Sequence, residues 1–115
     1  MATQSVSQQE VQDVFGELHQ QLKNAYFEAC TIEDKDRLRS LNDAIFEIIT
    51  ALNTDEIRSR NAEFSALSNQ ISLAVDQLKD LQQDIANIIH TVAVATKVTA
   101  AIDKALSSAA GFLAA

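Results

Sequence analysis

Two histidines, one cysteine and two groups of carboxylates are the residues of this chain with a claim on chemistry. His19 and His90 each stand alone. Neither belongs to a Glu-x-x-His or a His-x-x-x-His pair, the spacings that put two metal ligands on one face of a helix. Cys30 has no second cysteine for a disulfide or a Cys-x-x-Cys redox pair, and no neighbouring histidine to take its proton. A small apolar residue near a turn is its plainer role. Asp76, Asp80 and Asp84 recur every four residues, and Glu10, Asp13 and Glu17 form a similar patch. Stacked carboxylates bind divalent cations when several oxygens converge, whereas three on one helix splay apart. The two glycines, Gly16 and Gly111, cannot build a phosphate-binding loop, and no nucleophile elbow occurs. The sequence therefore predicts no catalytic residue, no cofactor, no metal ligand and no enzyme activity.

Charge narrows the partners. A formal net charge of −7, with nine scattered Lys and Arg, argues against nucleic acid, whose phosphates need clustered cations. Arg37/Arg39 and Arg58/Arg60 are close pairs, each beside acidic residues. The acidity itself reads as a solvated surface, with docking of a basic target as the minor reading. A lone cysteine fits a reducing compartment. The N-terminus lacks the basic region and apolar core of a Sec-type signal peptide. Lys97, Asp103 and Lys104 interrupt the most apolar stretch before it reaches bilayer length. A cytoplasmic location is the expectation, with export by another route left open.

The elements that carry these residues are helices. Absence of Pro, two Gly and abundant Ala, Leu, Gln and Glu favour helices joined by short turns. A 47% hydrophobic content excludes disorder of the whole, and 115 residues make one domain, 1–115. Residues 1–5 read as a frayed polar tail. Ser7 with Glu10 has the capping-box form and starts a helix over about 6–30, with Val11, Phe15, Leu18, Leu22, Ala25 and Ala29 on one face. Gly16 inside it weakens the helix and suggests a close helix crossing. Continuing that face would bury Asp36, Arg39 and Asp43, so the chain turns near residues 30–33. Thr31 and Asp34 cap a second helix over about 32–52, with Leu38, Leu41, Ile45, Ile48 and Leu52 inward. Asn53-Thr54-Asp55-Glu56 is a turn that makes the flanking helices antiparallel neighbours.

Beyond it, steps of three and four run from Ile57 to Leu113, through Arg60, Phe64, Leu67, Ile71, Ala74, Leu78, Leu81, Ile85, Ile88, Val92, Ala95, Thr99, Ile102, Leu106 and Ala109. Only Arg60 and Thr99 interrupt the apolar row. The spacing predicts a coiled-coil-like helix over about 56–113. Unbroken, it is about 86 Å long; the alternative is a fold-back into a fourth helix, for which the place is between Ile89 and Thr99, where β-branched residues lower helix preference. The fold class is thus all-α, an antiparallel helical hairpin or bundle. From Ile85 onward apolar residues spread around the helix, leaving His90, Lys97 and Lys104 as a polar line, and such a helix needs cover on nearly all sides.

That requirement leads to function. The chain reads as a non-enzymatic protein-interaction or assembly module. It binds a partner helix, or itself as a homo-oligomer, through Ile85, Ile88, Ile89, Val92, Val94, Val98, Ile102, Leu106, Phe112 and Leu113. The alternative is a membrane-active protein whose segment 85–115 binds or enters a bilayer. A third reading is an acidic inhibitor of a basic target.

Overall fold

Helix α1 (Gln8–Glu28) begins where the Ser7 hydroxyl accepts a hydrogen bond from the Glu10 amide at 3.1 Å. This satisfies one of the amides that a helix start leaves without a partner. The chain leaves the helix at Ala29, which is extended (φ −65°, ψ 139°). Two residues on, the Thr31 hydroxyl accepts from the Asp34 amide, also at 3.1 Å, and helix α2 (Ile32–Leu52) starts with Glu33 and Asp34 at its positive end. The computed structural model describes residues 7–114, so the tail expected over residues 1–5 lies outside the described residues.

Both faces read from the sequence are inward. Val11, Phe15, Leu18, Leu22, Ala25 and Ala29 of the first row and Leu38, Leu41, Ile45, Ile48 and Leu52 of the second are all buried. The Asn53–Glu56 turn is present, with Glu56 in the left-handed region at φ 50°. A 3₁₀ turn over Ile57–Ser59 follows and buries Ile57 before helix α3 (Asn61–Ile88) begins, five residues later than expected.

The long C-terminal helix does not run unbroken. It ends at Ile88, and helix α4 (Val92–Ala114) turns back after Ile89, His90 and Thr91, at the leading edge of the span that the alternative reading gives for a break. Ile89 is extended (φ −116°, ψ 119°), its side chain is buried, and its amide still donates to Ile85 O at 2.9 Å. The cause is burial. Straight on, the apolar side of residues 92–113 would lie in water; turned back, it packs against α1 and α3.

Four helices and no strand make up the described residues. They form an up-down-up-down bundle in which each helix packs antiparallel on the next and α4 closes on α1. Single side-chain contacts mark the registry. Arg37 of α2 meets Asp84 of α3 at 2.9 Å, Gln82 of α3 donates to Asp103 of α4 at 2.6 Å, and Thr91 before α4 donates to Glu28 of α1. Helix α1 lies closer to its neighbours than α3 does. On the α4 side the reason is composition: α4 buries Ala101, Ala105 and Ala109, whereas α3 buries Leu67, Ile71, Leu78, Leu81 and Ile85. Small side chains let two backbones approach and branched ones hold them apart. The bundle measures 43 × 30 × 19 Å, with a radius of gyration of 14.3 Å.

The α2–α3 connection is tied to the start of α1 and to the end of α4. The Gln8 amide donates to Leu52 O and Thr54 O, and its oxygen accepts from the Ile57 amide at 3.4 Å. Arg58 donates to Phe112 O at 2.7 Å, with its guanidinium 4.3 Å from the Phe112 ring centre and 5.3 Å from that of Phe64. Here a cation sits at the negative end of α4 and over two aromatic faces, and both arrangements are favourable.

Candidate functional site

The fold-back changes what the C-terminal half can offer a partner. Of the residues expected to bind one, Ile85, Ile88, Ile89, Val98, Ile102 and Phe112 are buried in the chain's own core. Val94, Leu106 and Leu113 are half-buried against it. Val92 alone is fully available, at 78% exposure. The expectation that this half needs shelter from outside the chain is corrected accordingly: α1 and α3 supply most of it.

The orientation of α4 also departs from the row read in sequence. Val98, Ala101, Ala105 and Phe112 are fully inward, while Ala95, Thr99 and Leu106 of the row are only half-buried. Helix α4 is apolar nearly all round, so periodicity sets its inner side poorly. Lys97, Asp103 and Lys104 bound it better, because all three stay exposed, the two lysines on the flank toward α1 and Asp103 on the flank toward α3, where it accepts from Gln82.

What remains exposed is distributed unevenly. Phe27, Ile32 and Val92 are 67%, 74% and 78% exposed, and all three lie at the pole that carries the 29–31 and 89–91 turns. Phe46 and Leu73, the other large exposed apolar residues, lie midway along α2 and α3. Beside Val92 an open groove of about 590 Å³ runs between the end of α3 and the start of α4, over Ala86, Ile89, Ala95, Thr96 and Ala100. Its lining is mostly apolar, with His90 and Asp103 at the margins. Phe27 and Ile32 lie outside the row expected to bind a partner. The available signal was their place: large apolar residues off the inward rows, each within three residues of a turn.

The groups with a claim on chemistry are scattered. His19, half-buried rather than free, has Nδ1 2.7 Å from Asn42 Oδ1 and its ring 5.7 Å from that of Phe46. His90 is exposed beside the α3–α4 turn. Cys30 is a free, exposed thiol in the α1–α2 turn, with Sγ 3.8 Å from Glu28 O. Asp84 is engaged by Arg37, while Asp76 and Asp80 point to solvent. Among the described residues no three His, Cys, Asp or Glu side chains converge as a metal site would require, and no polar or charged residue is buried. Lys23, Tyr26, Arg39, Asn42 and Asp43 line a shallow depression between α1 and α2 over Leu38. Gly16 is exposed and has open space where a side chain would stand, so no helix of the chain crosses there. No helix is long and apolar enough to cross a membrane among the described residues.

No protein-family model, curated protein or solved structure matches the chain.

Proposed function

We propose that this chain is a non-enzymatic helical interaction module, and that it engages a protein partner at the pole bearing Phe27, Ile32 and Val92. The observation that carries the reading is the concentration of large exposed apolar side chains there, on three helices, beside an apolar groove. Scattered exposed apolar residues are ordinary, whereas several at one pole mark a contact surface. The surface is narrower than the one read from sequence, since most of the row from Ile85 to Leu113 is spent on the chain's own core.

The test places a photoreactive amino acid at position 92, at position 27 and, as a control, at Gln70 on the outer side of α3. Discrete protein adducts from the first two positions, absent from the third and lost when Ile32 is changed to Glu, support the reading. Equal labelling from all three positions would count against it.

A second reading is favoured by one observation. Helix α4 carries two lysines against one aspartate, whereas α1, α2 and α3 each carry an excess of carboxylates. Its outward side, with exposed Ala93, Thr96, Ala100 and Ser107 flanked on one edge by Lys97 and Lys104, suits an anionic bilayer better than the acidic sides of the other helices. Flotation with vesicles containing phosphatidylserine, abolished by Lys97→Glu with Lys104→Glu, is the result that reading requires.

A further inference from the structure

We infer that the partner presents an acidic peptide segment, and that a carboxylate of this segment seats between Lys23 and Arg39 in the depression between α1 and α2. The apolar neighbours of that carboxylate then cover Phe27 and Ile32 on one side and Phe46 on the other. This gives the partner of the interaction reading its chemistry and rests on that reading.

The depression is lined mainly by donors. Lys23 and Tyr26 of α1 and Arg39 and Asn42 of α2 border it over Leu38, in a volume of about 260 Å³. An ammonium and a guanidinium offer N–H groups and no acceptor. The Asn42 oxygen is taken by His19, whose Nδ1 is 2.7 Å away, so the amide nitrogen is what Asn42 has left to offer. Lys35 steadies the edge: it donates to Tyr26 O at 2.7 Å, with its nitrogen 4.7 Å from the centre of the Tyr26 ring. Against these groups stands one carboxylate, Asp43.

Two cations facing one depression repel each other unless an anion answers them. The chain has 16 Asp and Glu against nine Lys and Arg. Even so, among the described residues Lys23 and Arg39 have no ion-pair partner, whereas Arg37 has Asp84 and Arg60 has Glu63. A carboxylate from outside accepts charge-assisted bonds from both side chains. The space suits a single acidic side chain better than a drug-sized molecule, whose pockets start at about 300 Å³.

Apolar residues bracket the cations. Ile32, Lys35, Arg39, Asn42 and Phe46 follow in steps of three and four along α2, and Phe27 is one turn beyond Lys23 on α1. Phe27, Ile32 and Phe46 are three of the five large apolar residues exposed among the described residues. From Ile32 to Phe46 the face is about 21 Å long. A segment that covers both ends of it must cross Lys23 and Arg39. On the carboxylate-rich remainder of the surface an acidic segment is disfavoured, so charge selects the face as well as the partner. The wider groove beside Val92 makes no such selection, because its lining has no Lys or Arg and carries Asp103 instead.

The test pans a displayed library of random peptides, each about 16 residues long so as to span the face, on the whole wild-type chain. Recovered peptides are then measured by fluorescence anisotropy. They are expected to be enriched in Asp and Glu between apolar residues, and to bind more weakly as salt is raised. Lys23→Glu with Arg39→Glu is expected to weaken them by at least about tenfold, and Asp43→Asn to tighten them about threefold. All three side chains are exposed, so helical circular dichroism is expected to be unchanged. Should the charge reversal lower it, Lys23→Gln with Arg39→Gln takes its place. Amide shifts on peptide addition are expected at Lys23, Arg39 and Asn42, and not at Ala95 or Ala100. Recovery of no peptide, or of peptides without acidic enrichment, would overturn the inference. Peptides that bind the charge-reversed chain as tightly as the wild type overturn it too and leave the interaction reading standing, because labelling from positions 27 and 92 tests that reading independently.

Discussion

Single positions carry two departures from what this fold needs. Gly16 lies inside α1, where glycine costs roughly 1 kcal/mol relative to alanine and no neighbour claims the space above it. Gly16→Ala is therefore expected to stabilise the chain by about 0.5–1 kcal/mol, read as a higher urea midpoint at unchanged slope. A loss of stability would mean that the glycine is needed for something the bundle does not display. Glu56, at φ 50°, holds a conformation that costs a side-chain-bearing residue on the order of 1 kcal/mol. Glu56→Gly removes that strain, and a small rise in the same midpoint is the expected result. The caps at Ser7 and Thr31 were legible in the sequence because a hydroxyl three residues before an acidic residue meets a local need. The Gln8 and Arg58 ties were not. Each joins residues more than forty positions apart, and nothing local marks a glutamine or an arginine for such a role.

At the scale of the helix, sequence periodicity worked where polar residues bounded the apolar side. The inner sides of α1, α2 and α3 were legible for that reason. In α4 they were blurred, because Ala93, Val94, Val98, Ala101 and Ala105 leave no sharp edge. The break itself was legible only as a zone of weak helix preference; the chain turns at its first residues, where Ile89 can still be buried. The close approach of α4 to α1 gives a test of this packing. Ala105 is fully buried on the inner side of α4, and Ala105→Leu adds volume to a core that is already filled. Overpacking of this kind costs about 1–3 kcal/mol, and the loss is expected to appear in denaturant melts. At Ala93, on the solvent side of the same helix, the same change is expected to stay within about 0.5 kcal/mol. Equal effects at the two sites would contradict the assigned orientation of α4.

The molecule as a whole was the least legible. Composition and periodicity led to helices and antiparallel neighbours, but an extended hairpin and a closed bundle share that pattern. Cover for the apolar C-terminal half decides between them, and periodicity alone does not say whether other helices of the chain, a second copy, another protein or a bilayer supplies it; α1 and α3 supply most of it. Solution scattering at low concentration is expected to give a radius of gyration near the 14.3 Å of the bundle, widened slightly by hydration. A straight helix over residues 61–114 would instead reach a maximum dimension of about 80 Å. The candidate contact surface was hidden from the sequence for a related reason. Phe27, Ile32 and Val92 are far apart in the chain, and only the closed topology brings them to one pole.

The ties of Gln8 to Leu52 and of Arg58 to Phe112 place the beginning of α1 and the end of α4 beside the same connection. A dye or bead attached at Ser7 or Ala114 therefore sits at the pole opposite the 29–31 and 89–91 turns. A support coupled to the exposed Ser7 or Ala114 leaves the exposed Phe27, Ile32 and Val92 facing away from it.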